Sequence, residues 1–247
     1  MDGKHIVVQK PAKSGAAFFT YKQTFAIQLL AVVDADYKFI YVDVGVQGRI
    51  GDAGVYHNSS ICQALETNTL NIPPPETISQ HTANLFPYVL VADEAFPLKT
   101  YIMKPYAHRG LNATERIFNY RLSRARRIVE NAFGILASRF RIFRTQIMLQ
   151  PHKVEKVVLA ATVLHNFLRV NCGAVYIPTA SVDVENLDSG IVTQGDWRTE
   201  GKPTGLRDTF CTFPGRPNLD AKSVRNNYAA YFQNIGQVPW QWKVIGR

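Results

Sequence analysis

Tyr88-Val89-Leu90-Val91-Ala92-Asp93 is the stretch that decides the fold class. Its apolar residues do not alternate with polar ones, they include β-branched valines, and they stop abruptly at a carboxylate. A short run of this kind reads as a strand buried on both faces, the pattern of a sheet with helices on its sides. It places Asp93 at the carboxyl end of that strand, where open α/β sheets put their ligands.

Upstream of this strand the chain reads as β-structure. Asp2 to Gln9 is a short β-type run, followed by a loop with Pro11, Ser14 and Gly15. Phe25 to Val33 and Phe39 to Val44 are apolar runs joined by Asp34-Ala35-Asp36, which predicts a hairpin. Gly45, Gly48 and Gly51 interrupt the chain. Asp52 to Leu65 then has helical spacing, with Val55, Ile61 and Leu65 on one face. Thr67 to Asn84 contains three consecutive prolines and predicts a loop.

Downstream, Tyr101 to Met103 adds a short strand and the helices begin. Asn112-Ala113-Thr114-Glu115 is a capping-box start. Leu122, Ala125, Val129, Phe133, Leu136 and Phe140 then recur every three or four residues, predicting one amphipathic helix over Thr114 to Arg139. A second helix is expected from His152 to Val170. Asn171 to Leu219 is rich in Gly, Pro, Thr and Asp and predicts mobile loops. A last helix spans Asp220 to Gln233, capped by Asp220. The order predicts an α/β domain over 1–171, with a mixed sheet flanked by helices. A loop-rich extension over 172–247 follows it.

Composition narrows the function classes. The chain is 46% hydrophobic and 19% charged, enough for one sizeable core and unlike a disordered chain. Val157 to Val170 is interrupted by Thr162, His165, Asn166 and Arg169, and reads as too short and too polar to cross a bilayer. Met1-Asp2-Gly3-Lys4 has no signal-segment character, so a soluble intracellular chain with no membrane partner is expected. Cys62, Cys172 and Cys211 form no Cys-x-x-Cys pair, which argues against a disulfide framework and a zinc site. The net charge of +9 is concentrated. From Glu94 to Gln150 there are eleven Lys or Arg and three acids, a net of +8. Such a segment suggests a polyanion, nucleic acid being the commonest, although a merely solvated basic helix gives the same count.

Three carboxylates carry the candidate chemistry: Asp2 at the start of the first strand, Asp93 at a strand end, and Glu130 on the long helix. A buried carboxylate needs a cation or hydrogen bonds. Three that converge would form a hard-oxygen site for Mg²⁺ or Mn²⁺. Two such ions, roughly 3.5–4 Å apart, can activate water and stabilise the leaving oxygen of a phosphodiester. Glu130 is the one acid among seven arginines between Arg121 and Arg144, with Arg126 and Arg127 one turn before it. An ordinary helical ion pair and a metal-binding carboxylate among phosphate-gripping arginines both fit that spacing. The six histidines lack ligand spacing, and His165 suits helix packing. Trp240 and Trp242 suit docking onto the domain better than stacking on bases. No Gly-rich phosphate loop is present.

The segment from Asn119 through Arg141, with Arg126-Arg127-Ile-Val-Glu130-Asn at its centre, resembles the signature of Harbinger/PIF-type transposases and the nucleases derived from them. Asp2-Gly-Lys-His5, Tyr21 through Ala35, Gly51-Asp-Ala-Gly-Val-Tyr-His-Asn-Ser59 and Val91-Ala-Asp-Glu-Ala-Phe-Pro-Leu98 agree with it. So do Leu164-His-Asn-Phe-Leu168 and Val238-Pro-Trp-Gln241. The resemblance implies an RNase H-like fold and a divalent-metal-dependent DDE endonuclease with Asp2, Asp93 and Glu130 as its triad. It also matches Asp52 to a further acidic position, for which an N-cap role is equally open. It points to Arg121, Arg124, Arg126, Arg127 and Arg139 as DNA-binding residues, Arg139 standing in for a basic residue expected nearer Glu130. A Myb-like DNA-binding partner protein and a nuclear location, shared with the cytoplasm, are implied as well. Family members carry a DNA-binding region ahead of this domain, and here none is read ahead of Met1. A catalytically inactive descendant acting as a DNA- or protein-binding scaffold therefore stands beside the nuclease.

Overall fold

Asp2–Val7 (β1), Ala26–Val33 (β2) and Phe39–Gln47 (β3) are successive antiparallel strands in the computed structural model. The structure describes residues 1–107, 109–209 and 218–246, and Asp52 by its backbone alone. The β2–β3 turn is set by local chemistry. Asp34 Oδ1 accepts from the amides of Asp36 and Lys38, both at 2.9 Å, and Tyr37 takes the left-handed conformation at φ 66°. An aspartate bonding the backbone just after it is what makes such a turn, and the predicted hairpin forms.

Asp52–Asn58 (α1) and Ser60–Glu66 (α2) replace the single helix expected over Asp52 to Leu65. Ser59 is extended, with ψ 152°, and its Oγ donates to the Tyr56 carbonyl at 2.6 Å. Serine competes for helix carbonyls in this way, and periodicity does not register it. The N-cap of α1 is Gly51, not Asp52. Glu76–Thr77 (β4) pairs with Leu85–Phe86 (β5), and Leu90–Val91 (β6) pairs in parallel with Ile102–Met103 (β7). Ala113–Arg139 (α3) begins at the expected capping box, Asn112 and Glu115 exchanging side-chain to amide bonds of 3.0 Å. Pro151–Tyr176 (α4) outruns its predicted end and kinks at Gly173. The stretch expected to be featureless contains Val184–Glu185 (β8), Val192–Thr193 (β9), Asp196–Thr199 (α5) and Leu206–Asp208 (β10). Leu219–Gln233 (α6) is capped by Asn218, which accepts from the Ala221 amide at 2.7 Å, rather than by Asp220. Gln241–Val244 (α7) is the last element.

The chain divides into two compact units. One comprises Met1–Ser59, Arg127–Val184 and Val192–Cys211; the other comprises Ser60–Arg126, Glu185–Ile191 and Thr212–Arg247. The first contains a sheet of order β10-β1-β2-β3 in which all pairings are antiparallel. Both edges of β1 are filled. Among the described residues the expected mixed sheet is thus absent from this unit, whose parallel pairing is limited to a single bridge, Val8 to Ile147, and the parallel ladder β6–β7 belongs to the other unit. Leu90 and Val91 are half-buried, not buried on both faces. Their ladder has only two residue pairs, and Val89 and Val91 pack, partly buried, against Leu98, Met103, Phe118 and Leu122 rather than between strands on each side.

The core of the first unit joins Ile6, Ile27, Leu29 and Ala31 of the sheet to Phe133 and Leu136 of α3 and Val154 and Val158 of α4. Each of these side chains larger than alanine contributes about 1.5–3 kcal/mol by leaving water. By length and composition α4 does suffice to cross a membrane, contrary to the reading of Val157 to Val170. Its inner face, however, belongs to the sheet. Val154, Val158, Ala161, Thr162 and His165 are buried. Asn166 bonds the amide and carbonyl of Phe39, both at 2.8 Å. His165 bonds the Tyr37 carbonyl at 2.8 Å and the Tyr176 hydroxyl at 2.9 Å, the packing role expected for it. In the second unit Leu98, Met103, Phe118, Leu122, Ala221 and Ala229 form the core. Trp240 docks there, its Nε1 donating to the Tyr120 hydroxyl at 2.8 Å beneath the Arg124 guanidinium.

Candidate active site

In the first unit, strand alternation places Asp2 and Lys4 on the same face of β1. The Lys4 ammonium lies 3.1 Å from Asp2 Oδ2 and 2.5 Å from Asp208 Oδ1. Asp208 faces Lys4 directly in the β1–β10 register. The Lys4 side chain is 12% exposed and that of Asp2 7%. Burial pulls the lysine pKa down, but the Asp2 and Asp208 carboxylates outweigh it and hold the pKa above its ordinary value. Lys4 in turn holds the Asp208 carboxyl below the usual range. The same ammonium sits 5.4 Å from the centre of the Phe133 ring, which is three residues past Glu130 on α3. Asp2 and the Glu130 turn therefore share one side of the unit. His5, on the opposite face of β1, has its Nε2 3.1 Å from the Gly48 carbonyl and 2.9 Å from the Gln28 amide nitrogen, and its tautomer decides whether it donates to the first or accepts from the second. Burial lowers its pKa to about 4.

Glu130 is half-buried and meets an arginine from far along the chain. Arg198 Nη2 is 3.4 Å from Glu130 Oε2 and 2.6 Å from Asp183 Oδ2, while Arg198 Nε reaches both Asp183 oxygens at 2.9 Å. Asp183 is almost fully buried, with 2% of its side chain exposed. Burial alone would raise its pKa, but the Arg198 hydrogen bonds and the Gly195 amide bring it below the usual carboxylate value. The adjacent Trp197 fixes α5 on α3. Its Nε1 donates to Asn131 Oδ1 at 2.9 Å, and its ring lies over Gly134, where a Cβ would come within 2.1 Å. Lys4, Asp183, Trp197, Arg198 and Asp208 are absent from the sequence-derived site. Only Lys4 had a local signal, two residues from Asp2; the others lie in aperiodic sequence and arrive through tertiary contacts.

Asp93 belongs to the second unit. It follows β6, is half-buried, and its Oδ1 accepts from the Ala95 amide at 2.9 Å, a turn that fixes the carboxylate to its own backbone. Lys104 donates to the Glu94 carbonyl at 3.0 Å. Burial, with Arg225 adding to it, lowers the Lys104 pKa against the pull of Asp93 and Glu94. The Asp52 side chain lies outside the described residues.

The arginines have structural duties. Arg121 Nη1 donates to the Gly236 carbonyl at 3.1 Å and stacks on Phe232; Arg124 Nε lies 3.1 Å from Glu185 Oε2. Arg139 Nη2 donates to the Tyr176 carbonyl at 2.9 Å. Arg126 and Arg127 are half-buried with partners of their own, and Arg127 helps to keep the Asp183 carboxyl charged. A guanidinium has five N–H donors, so these few internal bonds, two for Arg121 with its further bond to Gln241 Oε1 at 3.4 Å, leave Arg121, Arg124 and Arg139 able to meet a phosphate as well.

Carboxylate oxygens suit a hard divalent cation. Their arrangement here does not. Lys4 and Arg198 hold Asp2 and Glu130, and among the described residues no three His, Cys, Asp or Glu side chains group closely enough to share an ion.

A family described as DDE superfamily endonuclease matches residues 1–166. The match contains Asp2, Asp93 and Glu130 and leaves Asp183, Arg198 and Asp208 beyond its end. Protein ALP1-like of Arabidopsis thaliana is similar, at 28% identity over 172 residues. The alignment covers 68% of this chain and 42% of that protein, so the chain spans under half of the relative's length. No solved structure matches the chain at a significant level.

Proposed function

The chain belongs to the DDE superfamily endonucleases, and on that premise we propose that it is a divalent-metal-dependent nuclease cutting DNA phosphodiesters, derived from a Harbinger-type transposase. Asp2, Asp93 and Glu130 are its acids, with Asp52 as a further ligand. One observation supports this beyond membership: Lys4, paired with Asp2, also lies 5.4 Å from the ring of Phe133, three residues past Glu130, so β1 packs against the part of α3 that carries Glu130. The antiparallel β1-β2-β3 order with α3 and α4 packed on it supports an RNase H-like fold. The charge of the Glu94 to Gln150 segment supports a DNA substrate, gripped by Arg121, Arg124, Arg126, Arg127 and Arg139. A Myb-like partner protein and nuclear residence belong to the same reading.

A second reading is favoured by the counter-ions. Asp2 and Glu130 are already balanced by Lys4 and Arg198, as in a DNA- or protein-binding scaffold that no longer cuts. Plasmid nicking in Mg²⁺ or Mn²⁺ separates the two. The nuclease nicks, and Asp93→Asn and Glu130→Gln abolish the nicking. Equal cutting by those variants removes the triad assignment. Salt-sensitive DNA binding without a metal requirement or a cut product establishes the scaffold.

A further inference from the structure

The helix α4 carries two apolar stripes. The inner one, with Val154, Val158, Ala161, Thr162 and His165, is buried. On the opposite side Leu159, Val163, Leu164, Phe167 and Val170 are all exposed. Val163 is 65% exposed, Phe167 60% and Val170 69%. Together the five leave roughly 500 Å² of apolar surface in water, near the upper end of what a monomer shows. Single exposed apolar residues are ordinary, whereas a continuous stripe marks a surface that meets something.

Three features say what covers it. The helix is tied to the sheet, because Asn166 holds the amide and carbonyl of Phe39 and His165 the Tyr37 carbonyl, so it cannot turn both faces to lipid. The stripe is also uncharged. Arg169 is the one Lys, Arg, Asp or Glu between residues 157 and 176, and its Nε donates to the Asp36 carbonyl at 2.8 Å. Finally, the exposed residues Ala160, Val163, Phe167 and Val170 are spaced three, four and three apart, as in the seam of a coiled coil. Laid antiparallel on a copy of itself, about an axis between Val163 and Phe167, the seam sets Val163 against Phe167 and Ala160 against Val170, each twice. Smaller meets larger in every layer, the self-complementarity that an isologous pair requires. The exposed Lys156 then reaches the C-terminal end of the other helix, where unpaired carbonyls favour a cation. A parallel pair would set lysine against lysine.

We propose that two copies of this chain pair antiparallel through the exposed stripe of α4, about a two-fold axis. With Lys156, Ala160 and Asn171 at its borders, the stripe supplies most of the about 800 Å² that each partner of a standard interface buries. That is less than an obligate interface needs, so the dimer should dissociate on dilution. The pairing holds whether the chain cuts DNA or only binds it.

Sedimentation velocity on the full chain tests this. The parent should pass from monomer to dimer between about 1 and 100 µM. Val163→Glu and Phe167→Lys should each weaken the dimer at least about tenfold, since each sets a charge against an apolar residue. Mixed in equal amounts, the two variants should regain it as a heterodimer, because position 163 of one copy faces position 167 of the other. Both sites are exposed, and thermal unfolding confirms that the variants fold; if either does not, Ala160→Lys and Val170→Glu form the equivalent pair. A parent that stays monomeric, or a dimer that both variants leave intact, overturns the proposal. Loss in both variants without recovery on mixing overturns the antiparallel pairing. A monomeric parent that floats with phosphatidylcholine vesicles assigns the stripe to lipid instead.

Discussion

Replacing Gly134 with alanine should destabilise the first unit, although alanine is the better helix former. On an isolated α3 the exchange would gain about 0.8–1 kcal/mol. Trp197 reverses the sign. A Cβ at position 134 would lie 2.1 Å from Trp197 Cδ2 and 2.4 Å from Cε3, so the indole has to lift off the helix. Lifting it breaks the 2.9 Å bond from Nε1 to Asn131, a loss of about 1 kcal/mol. It also disturbs the Arg198 guanidinium stacked 4.1 Å from the ring centre, worth about 0.5–1 kcal/mol. Full truncation of a packed tryptophan costs about 3–5 kcal/mol, and a lifted ring forfeits part of that. After the helix gain is subtracted, the expected net loss is about 2–3 kcal/mol.

Urea unfolding followed by far-ultraviolet circular dichroism reads the change, and Trp197→Ala supplies the decisive comparison. With the indole gone, Gly134→Ala should be neutral or stabilising by up to about 1 kcal/mol. The sign should therefore invert between the two backgrounds. A Gly134→Ala variant as stable as the parent, or one equally destabilised with and without Trp197, would show that the indole contact does not govern this position.

Arg198→Met should cost about 3–5 kcal/mol, because it leaves the buried Asp183 carboxylate without its guanidinium. Adding Asp183→Asn should recover most of that loss in the same urea assay; no recovery would place the cost elsewhere. Stability should also fall as pH is lowered from about 6.5 to about 4. His5 is held neutral by burial with a pKa lowered to about 4, so in this window the unfolded chain binds the extra proton. The shift corresponds to roughly 3 kcal/mol at full effect, and His5→Gln should flatten the pH dependence; an equally steep profile in that variant would remove His5 as its source.

What was legible in the sequence is what neighbouring residues decide among themselves. The Asp34 turn, the Asn112–Glu115 capping box and the α3 periodicity each involve groups within a few residues, and each forms as expected. The failures have two physical origins. One is competition that periodicity does not register, as where Ser59 takes a helix carbonyl and ends α1. The other is order imposed from a distance. Asn171 to Leu219 lacks a repeat because its fixed points are single contacts: Trp197 on Gly134, Arg198 on Asp183, and β10 along the edge of β1. That same edge pairing is why the first unit's sheet is antiparallel throughout instead of mixed.

The acids divide in the same way. Where they fall on strands and helix was readable, and so was Lys4 beside Asp2, but Asp208 and Arg198 were not. Asp2 shares its cation with Asp208, 204 residues beyond Lys4, and Glu130 meets Arg198, 68 residues on. Both Asp208 and Arg198 follow the end of the family match, whereas Asp2, Asp93 and Glu130 lie within it. Lys4 lies inside the match, so the shared segment supplies Asp2 together with its nearest cation, whereas Asp208 and Arg198 come from the segment after it. A neighbour two residues away can be read from the sequence; a partner brought in by an edge strand or by a helix docked on α3 enters only through the fold.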